Sequence, residues 1–251
     1  MTFNLFVMKT TTFYLAIPAI IMLGVYSCKK DKPNNLTVSD IDGNVYKTVK
    51  IGDQVWMAEN LRTTKLNDGT PIALVSDKTT WADQNITDPM TCYYDIEASN
   101  LDKYGLMYNW YAVNTGKLAP KGWHVANQDD WEEMISYLIA NGYNYDETNK
   151  VDNHIAKSLA ATNDWITDNT AGSPGNEPAK NNKTGFNAQP AGYRNPDGSF
   201  MDLGIYCLFW NATLDAQAGI RSTYIIRSDL NNLYEENAFG GYGLYVRCVK
   251  D

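Results

Sequence analysis

The side chains that most often carry out catalysis or hold metals are few in this sequence. Its 251 residues include two histidines, His124 and His154. Neither has a cysteine or another histidine at the spacing of a zinc site. No Gly-x-Ser-x-Gly turn supplies the nucleophile of a hydrolase. We therefore expect one structural histidine and one surface histidine.

Neighbouring carboxylates occur at Asp129-Asp130, Glu132-Glu133 and Glu235-Glu236. Glycoside hydrolysis needs two carboxyl groups that face each other across a cleft, about 5–10 Å apart. Adjacent acids at a helix start are better explained by the helix dipole, and the other pairs by a solvated face. The sequence therefore favours a protein that is not an enzyme.

A long region rich in Asn, Gly, Pro and Thr, residues 162–200, offers side chains suited to binding. Aromatic rings stack on sugar faces, and amides and guanidinium groups hydrogen-bond hydroxyls. The candidate ligand-binding residues of this region are Trp165, Asn187, Tyr193, Arg194 and Asp197. We expect a binding face within residues 162–235. The alternative is that Trp165 and Tyr193 pack the loop onto the core.

Local patterns predict the elements that would position these residues. Residues 44–51 alternate apolar and polar, which indicates a half-buried strand, and 54–58 would be its hairpin partner. Asn127 can cap a helix whose apolar stripe runs over residues 131–138, and Gly142 can end it. Other predictions are a turn at 67–69, a loop-like stretch at 76–103, short helices at 105–114 and 151–161, and strands at 205–211, 221–228 and 242–249.

The composition is that of a globular chain, with 44% hydrophobic and 20% charged residues. No long linker or repeat follows residue 38, so one domain is the simplest organisation. The formal net charge of −8 argues against a nucleic-acid partner, because duplex binding depends on basic side chains that neutralise phosphates. The aromatic residues assigned to the core are Trp56, Trp110, Trp123, Trp131 and Phe209.

The N-terminus predicts export. A short basic start and the apolar residues 13–25 match a secretory signal and are too short to span a membrane. The following Ser27-Cys28 resembles the looser Bacteroidetes form of the lipoprotein lipobox, which implies lipid attachment to Cys28. Residues 1–27 are thus a predicted signal peptide, and residues 28–37 a polar tether. We expect a lipid-anchored protein at the outer membrane or cell surface; ordinary signal cleavage with an incidental thiol is the alternative.

Three ordered blocks of sequence carry a resemblance to a known family. They lie at 42–46 with 54–62, at 104–112 with 120–125 and 130–132, and at 185–194 with 209–210 and 246–251. Together they resemble the Fibrobacter succinogenes major paralogous domain, which is common in bacterial lipoproteins. The resemblance covers residues 38–251.

The resemblance implies an α+β architecture, similar to the C-type lectin-like and formylglycine-generating-enzyme fold. Two or three helices would pack against short, mostly antiparallel strands beside a long-loop region. C-type lectins coordinate calcium and sugar hydroxyls together, and Asn176-Glu177 and Asn211 faintly echo those ligands. Asn211 is therefore a further candidate for ligand binding, and Asn176, Glu177 and Asn211 are candidates for calcium. The expectation is no required cofactor, with calcium as the open alternative.

The resemblance also bears on the cysteines. Family members often carry a cysteine where this chain has Ala119, so a bridge from that position to Cys248 is missing. Of the remaining thiols, Cys207 and Cys248 both fall on predicted late strands and are the preferred disulfide pair. Copper-dependent oxidases of the related fold use a close cysteine pair, a motif that this chain does not match.

The family has no settled activity, so function must be argued from a site. We expect a non-catalytic, lipid-anchored envelope protein that binds an extracellular glycan or a cell-surface protein. One alternative is a structural or assembly component of a surface complex. Another is an enzyme whose site the sequence does not reveal.

Overall fold

The computed structural model of the chain describes Met1 and residues 37–148, 152–215 and 220–251. The predicted signal peptide beyond Met1, the lipidation site Cys28 and the tether up to residue 36 lie outside the described residues. The described residues from Thr37 onward belong to one compact unit. In the described part of the chain, no helix has both the length and the apolar character needed to cross a membrane.

The fold is α+β, with short helices between mostly antiparallel strands. The strands are β1 Thr37–Ser39, β2 Val45–Ile51, β3 Gln54–Met57, β4 Ala73–Leu74, β5 Met90–Cys92, β6 Met107–Tyr108, β7 Trp123–Val125, β8 Ala191–Arg194, β9 Phe200–Leu203, β10 Tyr206–Asp215, β11 Ile220–Arg227, β12 Tyr234–Ala238 and β13 Cys248–Lys250. The helices are α1 Lys78–Trp81, α2 Ala98–Tyr104, α3 Trp110–Val113, α4 Gln128–Ala140 and α5 Ala156–Leu159. Short 3-10 turns lie at Tyr94–Ile96 and Pro178–Lys180.

The described strands form three sheets. The first has the order β1-β2-β3-β13-β7, and all its neighbours are antiparallel. The second has the order β12-β11-β10-β8-β9, with one parallel pair, β10 with β8. The third is small and has the order β4-β5-β6. Because β13 is last in the chain and lies inside the first sheet, that sheet joins both ends of the described domain.

The predicted hairpin is confirmed. Strands β2 and β3 pair antiparallel with Ile51 opposite Gln54. Gly52 between them has a φ of +62°, a conformation that glycine adopts without steric cost. Tyr46 and Trp56 are fully buried, so each strand presents one face to the core.

The main helix, α4, is also confirmed. The Asn127 side chain accepts from the Asp130 backbone N–H, and the Asp130 carboxylate accepts from the Asn127 N–H, which makes a reciprocal capping box. Gly142 lies just past the helix end with a φ of +73°. The helix buries three side chains of its predicted stripe: Trp131, Met134 and Leu138.

Several sequence predictions need correction around residues 76–114. The stretch expected to be loop-like contains α1, β5 and α2. The helix expected at 105–114 is shorter, because Gly105 ends α2 and Asn109 caps a new helix, α3, by accepting from the Ala112 N–H. Residues Met107–Tyr108, between α2 and α3, form β6 because they pair with Cys92 and Thr91 of β5, which lie earlier in the chain.

The elements later in the chain agree in part with the sequence predictions. The predicted strands 205–211 and 221–228 correspond to β10 and β11. The strand expected at 242–249 is reduced to β13, because residues 243–245 make isolated bridges to three different strands instead. The predicted helix 151–161 is reduced to α5, and residue 151 lies outside the described residues. The predicted loop region 162–200 contains only a 3-10 turn, β8 and the first residue of β9.

Aromatic residues dominate the core. Trp131 stacks on Tyr224 with ring centroids 4.7 Å apart and packs against Trp56 at 4.9 Å. Trp110 meets Trp210 edge to face. Of the five residues assigned to the core from the sequence, Trp56, Trp110, Trp131 and Phe209 are buried, and Trp123 is half-buried.

The expected disulfide between Cys207 and Cys248 is not formed, and both residues are free, buried thiols, as is Cys92. Cys207 lies on β10 in the second sheet, opposite Ile226. Cys248 lies on β13 in the first sheet, opposite Val125. The two thiols therefore belong to different sheets, although both follow late in the sequence.

Candidate ligand-binding surface

Trp81 is fixed between two distant parts of the chain. It ends α1, which the Asp77 carboxylate caps by accepting from the Thr80 N–H at 2.7 Å. Its indole Nε1 donates to the Gly241 carbonyl at 2.9 Å. A Cβ atom on Gly243 would come within 2.9 Å of the Trp81 ring, so only glycine allows this close approach.

Arg194, expected to contact a ligand, is instead fully buried behind Trp81. Its guanidinium lies 4.5 Å from the Trp81 ring centroid and 4.8 Å from that of Phe200. It donates to the backbone carbonyls of Val75 at 2.7 Å and Gly198 at 3.2 Å. Because planar guanidinium donors satisfy several carbonyls while stacking on rings, Arg194 supports Trp81 from the protein side.

An open groove lies on the side of Trp81 away from Arg194. Its volume is about 440 Å³. The residues that line it, here called the aromatic groove, are Trp81, Ala82, Asp83, Gln84, Ile86, Met90, Tyr111, Pro196, Phe239 and Gly241. Phe239 is 74% exposed, and Asp83 and Gln84 add polar groups at the surface. The groove combines flat apolar rings with carboxylate and amide groups.

A smaller depression, of about 130 Å³, lies on the second sheet. The residues of this tyrosine depression are Tyr193, Tyr206, Leu208, Thr223, Ile225, Glu236, Asn237, Ala238, Tyr242 and Leu244. Tyr193, Tyr206 and Tyr242 are each partly exposed. The sequence-predicted residue Tyr193 therefore lies at a surface suited to a ligand. Burial, together with Asp202, raises the pKa of its phenol well above the usual value, so it stays a neutral hydrogen-bonding group.

In sequence, Asp197 directly follows Pro196, which lines the aromatic groove. Its carboxylate accepts from the Ser199 N–H at 2.9 Å and from the Ser199 hydroxyl at 2.6 Å. These bonds hold the turn between β8 and β9. Hydrogen bonding to Ser199 also lowers the pKa of Asp197 below its ordinary range. Asp197 is exposed and shapes the loop that carries Pro196.

The other predicted ligand-binding residues lie elsewhere. Trp165 is buried at 5% exposure, and Asn211 is buried with its amide donating to Gln128 and to the Ser222 hydroxyl. Asn187 lines a separate polar depression of about 200 Å³. None of the predicted ligand-binding residues lines the aromatic groove itself: Tyr193 lines the tyrosine depression, Arg194 is buried behind Trp81, and Asp197 follows the lining residue Pro196.

The candidate calcium residues are engaged with protein groups. The Lys157 ammonium donates to the backbone carbonyls of Ser173, Asn176 and Glu177, and the Glu177 carboxylate pairs with Lys180 at 2.7 Å. The Asn211 amide has the different set of partners given above. Calcium binds through carboxylate and carbonyl oxygens, and here a lysine already occupies the carbonyls. Among the described residues, no group of three or more His, Cys, Asp or Glu side chains is placed to hold a metal.

Comparison with known families identifies the domain. The sequence profile of the Fibrobacter succinogenes major domain (Fib_succ_major) matches residues 49–250. The chain belongs to this family. No curated protein matches the chain, and no solved structure matches it. The profile covers the three sequence blocks except residues 42–46 and Asp251, so the family resemblance seen in the sequence is confirmed.

In this Fibrobacter succinogenes major domain, His124 joins the start of α4 to Asp251. Its Nε2 lies 2.9 Å from the Asp130 carboxylate, and its Nδ1 lies 2.8 Å from that of Asp251. The Asp130 hydrogen bond, with help from Asp251, raises the pKa of His124 to about 9. The ring is therefore a cation at neutral pH, and it fastens β7, α4 and the segment after β13 together.

The aromatic groove of this Fibrobacter succinogenes major domain was not found by sequence reasoning. Its main rings, Trp81, Tyr111 and Phe239, come from three separate segments, so no local spacing connects them. One signal was available, since Gly240-Gly241 follow Phe239 just after a strand pattern, and glycine in such a pattern can mark a place where a ligand or another backbone approaches closely. Trp81 likewise stands in an otherwise polar stretch.

Proposed function

We propose that this protein is a lipid-anchored envelope protein that binds an extracellular glycan through the aromatic groove. The signal-like N-terminus and Cys28 support the anchor and a position at the outer membrane or cell surface. The groove supports the binding role. The α+β fold and the family together support a C-type lectin-like architecture, in which binding sites lie among loops.

One observation carries the proposal: the Phe239 ring is 74% exposed at the edge of a groove that also contains Tyr111, Asp83 and Gln84. A large ring exposed to this extent loses favourable apolar burial unless a ligand covers it. Sugar rings present an apolar face of similar size, surrounded by hydroxyl groups. Phe239 and Tyr111 would stack on such a face, while Asp83 and Gln84 would hydrogen-bond the hydroxyls.

We propose a binding role without catalysis. The described lining of the aromatic groove contains one carboxylate, Asp83, whereas glycoside hydrolysis commonly uses a pair. Binding is also proposed to be independent of calcium, since the Asn176 and Glu177 carbonyls are held by Lys157.

The test is a glycan array probed with the purified full-length protein, with calcium and with a chelator. Phe239→Ala is expected to lower the affinity up to about tenfold, because tenfold corresponds to about 1.4 kcal/mol, the upper range for one aromatic contact. The matched control is Ile166→Ala, which removes another exposed apolar side chain outside the groove. Binding that survives Phe239→Ala, or that requires calcium, would contradict the proposal.

A second candidate is a structural component of a surface complex. It is favoured by Met201 and Leu203, two exposed apolar side chains on the edge strand β9. An exposed strand edge can pair with another chain. In that case the glycan array would show no binding. Chemical crosslinking in the envelope would then link a protein partner to residues of β9.

A further inference from the structure

We infer that the aromatic groove and the tyrosine depression form one extended site for a neutral, linear oligosaccharide. This inference rests on the proposed function and adds to it the ligand's charge and length. The tyrosine depression would bind the sugar units that follow the one held by Phe239.

The two depressions are joined by a row of aromatic rings. Phe239, at the edge of the groove, stacks on Tyr242 of the tyrosine depression with centroids 6.4 Å apart and ring planes at 14°. Tyr242 lies 5.9 Å from Tyr193, and Tyr193 lies 6.2 Å from Tyr206. Four rings thus follow one another at almost constant spacing. The ring planes turn along the row, from 14° in the first pair to 55° and 83° in the next two, so the row offers aromatic contacts along the length of a ligand rather than to a single unit.

The row is held firmly by the backbone. The Tyr242 N–H donates to the Phe239 carbonyl at 3.1 Å, which closes a turn. Arg194 and Gly243 exchange two backbone hydrogen bonds, of 3.0 Å and 2.8 Å, which align the segment after this turn with β8, the strand of Tyr193. Rings that are fixed before binding lose little conformational entropy when a ligand stacks on them.

The charges of the two depressions select against acidic glycans. Neither set of lining residues contains Lys or Arg, and each contains one carboxylate, Asp83 in the groove and Glu236 in the depression. Arg227 lies over the Tyr206 ring at 5.6 Å, but its charge is paired with Asp229. Together with a net charge of −8, this arrangement would repel uronic acids and sulfated sugars. Asn237 and the tyrosine hydroxyls remain to hydrogen-bond neutral sugars.

The test compares neutral oligosaccharides of increasing length. Full-length protein is titrated calorimetrically with disaccharides to hexasaccharides of β-glucan, α-glucan, mannan and xylan, and with oligogalacturonates as the acidic series. The hexasaccharide of a recognised neutral series is expected to bind about tenfold tighter than its disaccharide, which corresponds to about 1.4 kcal/mol. Oligogalacturonates are expected not to bind.

Variants of Tyr206 test whether the tyrosine depression provides the gain in affinity with ligand length. Tyr206→Ala is expected to lower hexasaccharide affinity about tenfold and so to remove the gain from length, whereas Tyr206→Phe, which keeps the ring, retains most of the gain. Tyr145→Ala, a change at an exposed tyrosine outside both depressions, is the control, and thermal unfolding checks that each variant is folded. Equal affinity for all lengths, or preference for the acidic series, overturns this inference while the proposed function stands. Absence of binding to every series overturns both.

Discussion

Two arginines are placed in the interior of this protein and interact with carbonyls and rings. Arg247 donates to the carbonyls of Met57 and Phe186 and lies 4.5 Å from the Phe186 ring centroid. Burial lowers its pKa to about 10, which leaves it charged at neutral pH. Arg194 makes the same kind of interaction behind Trp81. Each guanidinium therefore connects several backbone segments that have no regular strand pairing with one another.

Arg194→Lys is expected to lower the free energy of unfolding by about 3 kcal/mol. A lysine ammonium cannot match the fork of donors, so buried carbonyls such as that of Val75 lose their partner. Urea unfolding measures the effect. Arg62→Lys serves as the comparison. Because the Arg62 side chain is partly exposed, this change is expected to lower the free energy of unfolding by about 1 kcal/mol or less. Equal losses in the two variants would contradict the supporting role of Arg194.

His124 predicts a dependence of stability on pH. Its folded-state pKa, about 9, lies above its ordinary value of 6.5. The folded state therefore binds the proton more tightly, and this contribution is complete below the ordinary value and is lost as the pH rises through 9. The ring is 38% exposed, so screening by solvent reduces the contribution to about 1 kcal/mol. Unfolding free energies between neutral and alkaline pH measure the loss, and His124→Gln should flatten it. A variant as pH-dependent as the parent would exclude this assignment.

Helix α4 and the first helix, α1, show how differently elements of one fold are specified. In α4, the cap, the buried stripe and the terminal glycine all lie within one short stretch of sequence. Helix α1 has only its Asp77 cap, and its place is determined by contacts of Trp81 with Gly241 and Arg194. The longer helix could therefore be predicted from local sequence, and the shorter one could not.

The Asn127 cap of α4 makes a measurable contribution to the free energy of unfolding. Asn127→Ala is expected to lower the free energy of unfolding by about 1 kcal/mol, because the Asp130 N–H loses its acceptor. Ser136→Ala, at an exposed position in the middle of the same helix, is the matched control and should change it by about 0.5 kcal/mol or less. Chemical unfolding followed by circular dichroism compares them. A cap variant as stable as this control would show that tertiary packing alone holds the helix.

At the scale of the whole molecule, the sequence was sufficient for the family, the α+β class, one hairpin and the main helix. It was not sufficient for the candidate site. Tyr193 was predicted to bind a ligand because it lies in a loop-rich region, and that role stays a prediction, whereas Phe239 and Trp81 meet only through the folded chain. The same prediction for Arg194 is wrong, because its side chain is buried against the carbonyls of Val75 and Gly198, which no local pattern brings near it.

The three free thiols of the described domain, Cys92, Cys207 and Cys248, test how its sheets are arranged. Burial raises the pKa of Cys92 and of Cys207 to about 12, and that of Cys248 further still, so none is a reactive thiolate in the folded protein. We expect iodoacetamide to label none of them in the native state and all of them in denaturant without reductant. Mass spectrometry of the peptides that carry Cys207 and Cys248 distinguishes the outcomes. A linked peptide pair would show that the sheets approach each other more closely than described.

Residues 243–250 contact every sheet of the described domain: Gly243 bridges to Arg194, Leu244 to Tyr108, Tyr245 to Phe209, and β13 completes the first sheet between β3 and β7. A ribosome makes this segment after all the strands that it joins. Until it emerges, β3 and β7 have no common neighbour, and Trp81 and Arg194 lack the Gly243 backbone that packs against them. Folding through such distant pairings is slow, so the growing chain would stay without its native sheets until these residues have been made.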